Sequence, residues 1–325
     1  MSVRRLGDLL AKVSRPGKIP ASEYLEEGEF PIIDQGQQHI AGYTNNPEIV
    51  IRSPLPMTIF GDHTRIVKFT KEPFACGADG TQLLYPNNNQ IDPTFFYYAV
   101  KNIDLSNYFY ARHFKFLKDQ QIEIPENIIK QKRIASILSA YDDLIENNRR
   151  RIALLEQAAR LLYREWFVHL RFPGHEHTPI IDGIPQGWEK KKYKDLFNFL
   201  NGYPFKSTTY QTHGRFGIVT IRNVHDAHFI PDCSSFLDFV PNNMKPHCFL
   251  STGDILLSLT GNVGRACIVY GDGFLLNQRV VKIVGEASIP RSFVYWTFSN
   301  EASQLMLEKL AYGVAQLNLS SILLR

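Results

Sequence analysis

Residues Ile128–Leu170 (IIKQKRIASILSAYDDLIENNRRRIALLEQAARLLYREWFVHL) contain neither glycine nor proline. Apolar residues recur there at alternating spacings of three and four: Ile134, Ile137/Leu138, Tyr141, Leu144/Ile145, Ile152, Leu155, Ala159, Leu162 and Trp166, with Asn148 the polar member of the series. That period is the mark of a helix with one apolar seam. A helix of such length spans about 60 Å at 1.5 Å per residue. Ordinary globular helices stop sooner, so this one is expected to be a spacer or one strand of a coiled coil. Its limits are legible. Pro125 cannot lie in a helix interior and Asn127 is a good N-cap, while Pro173-Gly174 ends the run. A chain built on this stretch must place globular material on either side of it.

The remaining length suits that arrangement. At 325 residues, 44% apolar and 21% charged, the chain has the make-up of a water-soluble globular protein with room for two domains and a connector. No window approaches 18 consecutive apolar residues, and the charged N-terminus MSVRRLGDLLAKVSRPG does not read as a signal peptide. Cys76, Cys233, Cys248 and Cys267 form no CxxC pair, which fits free thiols in a cytoplasmic protein. Net charge is +4, and residues 128–171 hold nine Lys/Arg against five Asp/Glu. This excess permits a nucleic-acid partner without requiring one.

The two flanks resemble each other. Asp8-Leu9 matches Asp195-Leu196, Phe30–Ile33 matches Phe216–Val219, and Gly61–Arg65 matches Gly261–Arg265. Thr81-Gln82 then matches Asn277-Gln278, Pro93–Tyr97 matches Arg291–Tyr295, and Tyr110 matches Tyr312, the offset running from 186 to 202. A duplicated unit with drift in loop length is expected. Short runs rich in Ile, Val, Phe and Tyr and bounded by Gly, Pro and Asn predict strands. These are Ile49–Ile51, Met57–Phe60, Arg65–Phe69 and Leu83–Tyr85, then Ile218–Ile221, Ile255–Leu259, Ala266–Tyr270 and Val280–Val284. Helices are expected over Pro93–Asn102, where Phe95–Tyr98 could equally be a strand, and over Pro290–Glu308. The fold class is therefore α+β: two similar mixed units, 1–127 and 188–325, joined by a long coiled-coil-type helix (128–170) and a Pro/Gly/His-rich linker (171–187). His175 and His177 lack a Cys or carboxylate cluster and are read as linker residues, with no metal expected.

No P-loop, GxSxG, HExxH, Gly-rich dinucleotide loop or [DNS]PP[YF] tetrapeptide is present, so no catalytic residue and no resident cofactor are expected. What stands out instead is polar side chains of the kinds that read DNA: Arg suits guanine, Asn and Gln suit adenine, and Lys and Thr suit phosphate. The first unit offers Gln35, Gln37, Gln38, His39 and Arg65, then Arg112, His113, Lys115 and Lys118 among Tyr108, Phe109, Tyr110, Phe114 and Phe116. The second offers Lys206, Thr208, Thr209, Arg215, Arg222, Asn223, Asn262, Arg265, Asn277, Gln278 and Arg279. Taken singly, most could be ordinary turn and strand-edge residues. Their recurrence at matching places in both units is the informative point.

Gln131–Asn148 (QKRIASILSAYDDLIENN), Trp166–Gly174 (WFVHLRFPG) and Ile184–Trp188 (IPQGW) together resemble the specificity subunit of type I restriction-modification systems. The resemblance extends over nearly the whole chain. It implies two target-recognition domains, each reading one half of a split site in double-stranded DNA. It also implies that long helices hold them apart and dock the modification (adenine methyltransferase) subunits. S-adenosylmethionine, ATP and Mg²⁺ are then expected on the modification and restriction subunits, not on this chain. The family carries a long helix after each recognition domain, whereas the sequence stops after Leu317–Arg325 with one. Truncation, an altered reading frame, or a second chain pairing with the 128–170 helix are the expectations this raises. A scaffold that docks protein subunits and no longer reads DNA is the alternative.

Overall fold

The structure is a computed structural model, described for residues 1–77, 80–108, 112–311 and 318–320. Tyr110 and Tyr312, a pair matched between the two flanks, and Phe109 lie outside the described residues. The chain divides into two units, Met1–Arg151 and Ile152–Arg325, so the boundary falls inside the long helix.

In unit 1 the strands are β1 (Ser2–Arg5), β2 (Phe30–Ile33), β3 (Gly42–Thr44), β4 (Val50–Ile51), β5 (Met57–Gly61), β6 (Val67–Thr70), β7 (Phe74–Cys76) and β8 (Thr81–Leu84). Helices α1 (Pro93–Lys101) and α2 (His113–Asp119) follow, then strand β9 (Gln121–Ile124) and helix α3 (Ile128–Tyr163). One sheet has the order β3-β2-β7-β4, with β2 and β7 parallel, and a second has the order β6-β5-β8. β1 and β9 pair on their own. The ambiguous Phe95–Tyr98 run is helical because Asp92 caps it, its carboxylate accepting from the Thr94 and Phe95 amides. Phe95, Phe96 and Val100 then face a core with Leu6, Phe60, Leu84, Leu117 and Ala135.

Unit 2 contains, after the last turns of α3, the hairpin β10 (Ile180–Ile181) and β11 (Ile184–Pro185), helix α4 (Tyr193–Leu196), and strands β12 (Phe197–Asn201), β13 (Phe216–Val219), β14 (Val224–His225), β15 (His228–Phe229) and β16 (Phe236–Leu237). Strands β17 (Phe249–Leu250), β18 (Ile255–Ser258), β19 (Ala266–Ile268), β20 (Phe274–Leu276) and β21 (Val280–Gly285) precede helices α5 (Arg291–Ser299) and α6 (Glu301–Leu310). Its sheets are β16-β13-β20-β17, with β13 and β20 parallel, and β12-β21-β18-β19. These two sheets repeat the order of the two larger sheets of unit 1, with β12 added at one edge, while the pairs β1/β9, β10/β11 and β14/β15 have no counterpart in the other unit.

The pairing register corrects two of the sequence matches. Phe60 pairs with Val67 and Leu257 with Ala266, so six residues (61–66) connect the strands in unit 1 and eight (258–265) in unit 2. Arg65 (φ 63°) therefore corresponds to Gly264 (φ 84°), not Arg265. In the same way Thr81 pairs with Gly61 and Val280 with Ser258, which aligns Thr81-Gln82 with Val280-Val281, not with Asn277-Gln278. Similar residue types one and three positions away imitated the true register because the inserted residues are polar turn residues like those they displace.

Helix α3 begins as its cap predicts, the Asn127 side-chain oxygen accepting from the Ile129 amide at 2.8 Å. Its regular part ends at Tyr163, seven residues before Leu170, and passes into a π-type turn over Arg164–Val168. Leu170 then takes a left-handed φ of 58°. Gln131 and Ala135 are buried on unit 1. At the far end Tyr163 and Phe167 pack on Phe293 of unit 2, and Phe167 and Phe172 pack on Trp188.

Candidate nucleic-acid interface

In unit 1 the segment joining β2 to β3, residues 34–41, is held from beneath. The Asp34 carboxylate accepts from the Gly36 amide at 2.8 Å. The Gln35 carbonyl accepts from the Thr64 hydroxyl at 2.6 Å, and its side-chain oxygen accepts from the His63 amide at 3.2 Å. Lys68, only 5% exposed, reaches up from β6. Its Nζ lies 3.5 Å from Asp34 Oδ1 and donates to the Gln38 carbonyl. Burial lowers the Lys68 pKa even though Asp34 works the other way. Partial desolvation, and then the Lys68 charge, lower that of His39. Gln35 is thus spent on the loop, while Gln37, Gln38 and His39 are exposed.

The second cluster of unit 1 divides in the same way. His113 was expected at the surface but is 2% exposed; its Nδ1 lies 3.0 Å from the Asp62 carbonyl and its Nε2 3.4 Å from that of Tyr108. Arg65 donates from its guanidinium to the Leu105 carbonyl at 2.8 Å. Tyr108 stacks on Phe116, and Lys118 lies over the Phe114 ring. Arg112 and Lys115 remain exposed on α2 and its N-cap. His113 is buried because it shares the inward face of α2 with Leu117, which packs in the unit 1 core.

In unit 2, Asn223 and Asn277 are 3% and 7% exposed. Asn223 closes a capping box with Thr220 and donates to the Ile230 and Asp232 carbonyls at 2.9 and 3.2 Å. Asn277 accepts from the Arg279 amide. Both side chains are buried and brace the frame of unit 2. Arg265 lies 3.7 Å from Asp226, and with the Asn262 amide oriented to satisfy both groups its oxygen accepts from the Arg265 guanidinium at 3.0 and 3.2 Å. Exposed side chains are left at Lys206, Thr208, Arg215, Arg222, Gln278 and Arg279, and at Thr209, whose hydroxyl donates to the Lys206 carbonyl. The Arg215 guanidinium carbon lies 5.0 Å from the centre of the Phe216 ring while the Arg215 amide donates to Asp238. The residues missed by sequence reasoning are Lys68, a lone charge between Val67 and Phe69, and Gln131, flanked by Lys130 and Lys132; neither setting signals burial.

Along α3, Ile134 packs on the unit 1 core and Trp166 is half-buried. Ile137, Leu138, Tyr141, Leu144, Ile145, Ile152, Leu155 and Leu162 are all exposed. Among the described residues no His/Cys/Asp/Glu group could hold a metal ion, and no helix is long and apolar enough to cross a membrane.

Comparison with known proteins gives these features a context. Residues 1–157 match the type I restriction modification DNA specificity domain. Over 214 residues the chain is 28% identical to the specificity subunit of the type I restriction enzyme MjaVIII of Methanocaldococcus jannaschii, covering 62% of this chain and 49% of that one. It is 34% identical over 121 residues to the specificity subunit of the Escherichia coli enzyme EcoAI, covering 34% of this chain and 20% of that one. The chain thus spans about half the length of the first of these relatives and less of the second. The crystal structure of the S subunit of a type I restriction-modification system from M. genitalium shares the fold, with a TM-score of 0.59 at 18% identity over 99% of this chain and 86% of that one. Nearly half of the chain, at its N-terminal end, thus matches the type I restriction modification DNA specificity domain, and the chain is similar to specificity subunits of type I restriction enzymes and shares the fold of an S subunit.

Proposed function

We propose that this chain is the non-catalytic, DNA-reading subunit of a type I restriction-modification complex, and that it recognises a bipartite site in double-stranded DNA. The observation that carries this reading is that two units sharing the order of their two larger sheets each present exposed Gln, Arg, Lys and Thr side chains on internally braced loops. These are the groups that pair with base edges and phosphates. Unit 1 reads one half-site and unit 2 the other, and the 36-residue helix α3 connects them. Its exposed apolar seam docks the modification subunits. Those subunits supply S-adenosylmethionine-dependent adenine methylation, and restriction subunits supply ATP- and Mg²⁺-dependent cleavage. The complex works in the cytoplasm, where its DNA is. The exposed seam also favours a second reading, a scaffold that assembles subunits without reading DNA. Mapping methylated adenines in cells that express the complex separates the two. A split motif whose one half changes with Gln37→Ala and Gln38→Ala supports the first reading. Methylation without a split motif, or none at all, supports the scaffold.

A further inference from the structure

A buried lysine is an expensive way to fill a core position, since its ammonium must be stripped of water and then satisfied internally. Lys68 sits on β6 (VKFT) opposite Ile59 of β5, and its side chain reaches the 34–41 loop. Burial there lowers its pKa. Among the described residues its polar partners are those of that loop, the Asp34 carboxylate and the Gln38 carbonyl. The lysine therefore reaches out of one sheet to hold the loop that leaves the other. Asp34 in turn holds Gly36, and His63 and Thr64 hold Gln35. The outcome is a braced loop whose exposed side chains begin at Gln37.

Residues 34–41 contain no Arg and no Lys of their own. What the loop offers outward is amide and imidazole. A primary amide carries a donor and an acceptor side by side, which matches the N6 donor and N7 acceptor of adenine and not the two acceptors of guanine. Such a contact discriminates only when the amide is held in place. Resting on the assignment of the chain as a DNA-specificity subunit, we propose that Lys68 is a positioning residue for base reading: by gripping Asp34 and the Gln38 carbonyl from inside, it presents the Gln37 and Gln38 amides to an adenine in the half-site read by unit 1. Unit 2 braces the corresponding segment differently, through Asn223, and exposes Arg222 there.

The test uses the full chain assembled with its modification subunits and a duplex library randomised in both half-sites, with methylation read by sequencing. In the wild type the half-site altered by Gln37→Ala contains a required adenine. Lys68→Met lowers the preference for that adenine about tenfold or more, the scale of one lost bidentate contact. It leaves the other half-site's profile unchanged and speeds amide hydrogen exchange in 35–41. A merely structural role lowers activity evenly at both halves, and that result overturns the proposal, as does an unchanged adenine preference. Should Lys68→Met not fold, Asp34→Asn shifts the same half-site in the same direction. Independently, 7-deazaadenine at the required position weakens wild-type binding; full binding to every 7-deaza duplex overturns the adenine assignment. A wild-type complex with no half-site preference removes the DNA-reading assignment itself, and this inference with it, before any variant is compared.

Discussion

Replacing Gln131 tests how α3 is fixed to unit 1. This side chain is 1% exposed at the first turn of the helix. Its Oε1 accepts from the Asp92 amide at 2.9 Å, and its Nε2 donates to the Gln90 and Pro125 carbonyls at 2.9 and 2.7 Å. One amide thus ties the helix start, the strand before it and the cap of α1. Gln131→Ala removes all three bonds. Each is worth about 1 kcal/mol net, and more where the freed group stays dry. A cavity of about 70 Å³ lined by Ser2, Gln90, Pro125 and Gln131 admits water and relieves part of that. The expected loss is about 2–4 kcal/mol. Trp166, Trp188 and Trp296 all lie in unit 2, so tryptophan fluorescence follows that unit alone, while far-ultraviolet circular dichroism follows both. In urea, Gln131→Ala moves the unit 1 part of the dichroism transition to lower denaturant and leaves the fluorescence transition in place. Gln131→Glu keeps the shape but turns a carboxylate toward two carbonyls. Ionisation is then disfavoured in the fold, so the variant's deficit is small below about pH 4.3, the ordinary glutamate value, and grows as pH rises. A Gln131→Ala curve within about 0.5 kcal/mol of wild type, or an equal shift in fluorescence, refutes the reasoning.

Three further outcomes follow from the same geometry. Leu144→Glu with Ile152→Glu changes two exposed seam positions (52% and 56% exposed) and leaves stability within about 0.5 kcal/mol, yet abolishes co-elution with modification subunits; retained co-elution counts against docking on the seam. Tyr98 donates to Asp142 at 2.9 Å, and burial first, then this hydrogen bond, raises its pKa. The neutral phenol is favoured in the fold, so its stabilisation is fully present below about pH 10, the unfolded value, and is lost above the raised one. Phenolate absorbance of Tyr98→Phe accordingly lacks one late-titrating tyrosine, and an unchanged late phase argues against the bond. Burial pushes Cys267 up to about 12 and Cys233 up to about 11, so native chain at pH 8 reacts slowly at both with a disulfide reagent, and all four thiols react promptly in denaturant; rapid native labelling of Cys267 contradicts its burial.

The long helix, its Asn127 cap and the duplication were legible from sequence because each depends on local chemistry or on repetition. A run of helical period without glycine or proline has few other ways to fold. The strand runs of both units were legible for the same reason. Tertiary structure decided which polar residues are surface. Gln131, Lys68, His113, Asn223 and Asn277 are ordinary in sequence, yet they are buried with polar partners that sequence does not reveal: the Asp92 amide and Pro125 carbonyl for Gln131, the Asp34 carboxylate and Gln38 carbonyl for Lys68, the Asp62 carbonyl for His113. The register of the repeat was also a tertiary matter, since strand pairing aligned Arg65 with Gly264 where residue likeness pointed to Arg265. Periodicity reports how a segment meets water, and so it revealed the helix and its seam. Hydrogen-bond satisfaction is settled between segments far apart in the chain, and so only the folded structure separated the side chains that brace the loops from those the loops hold out.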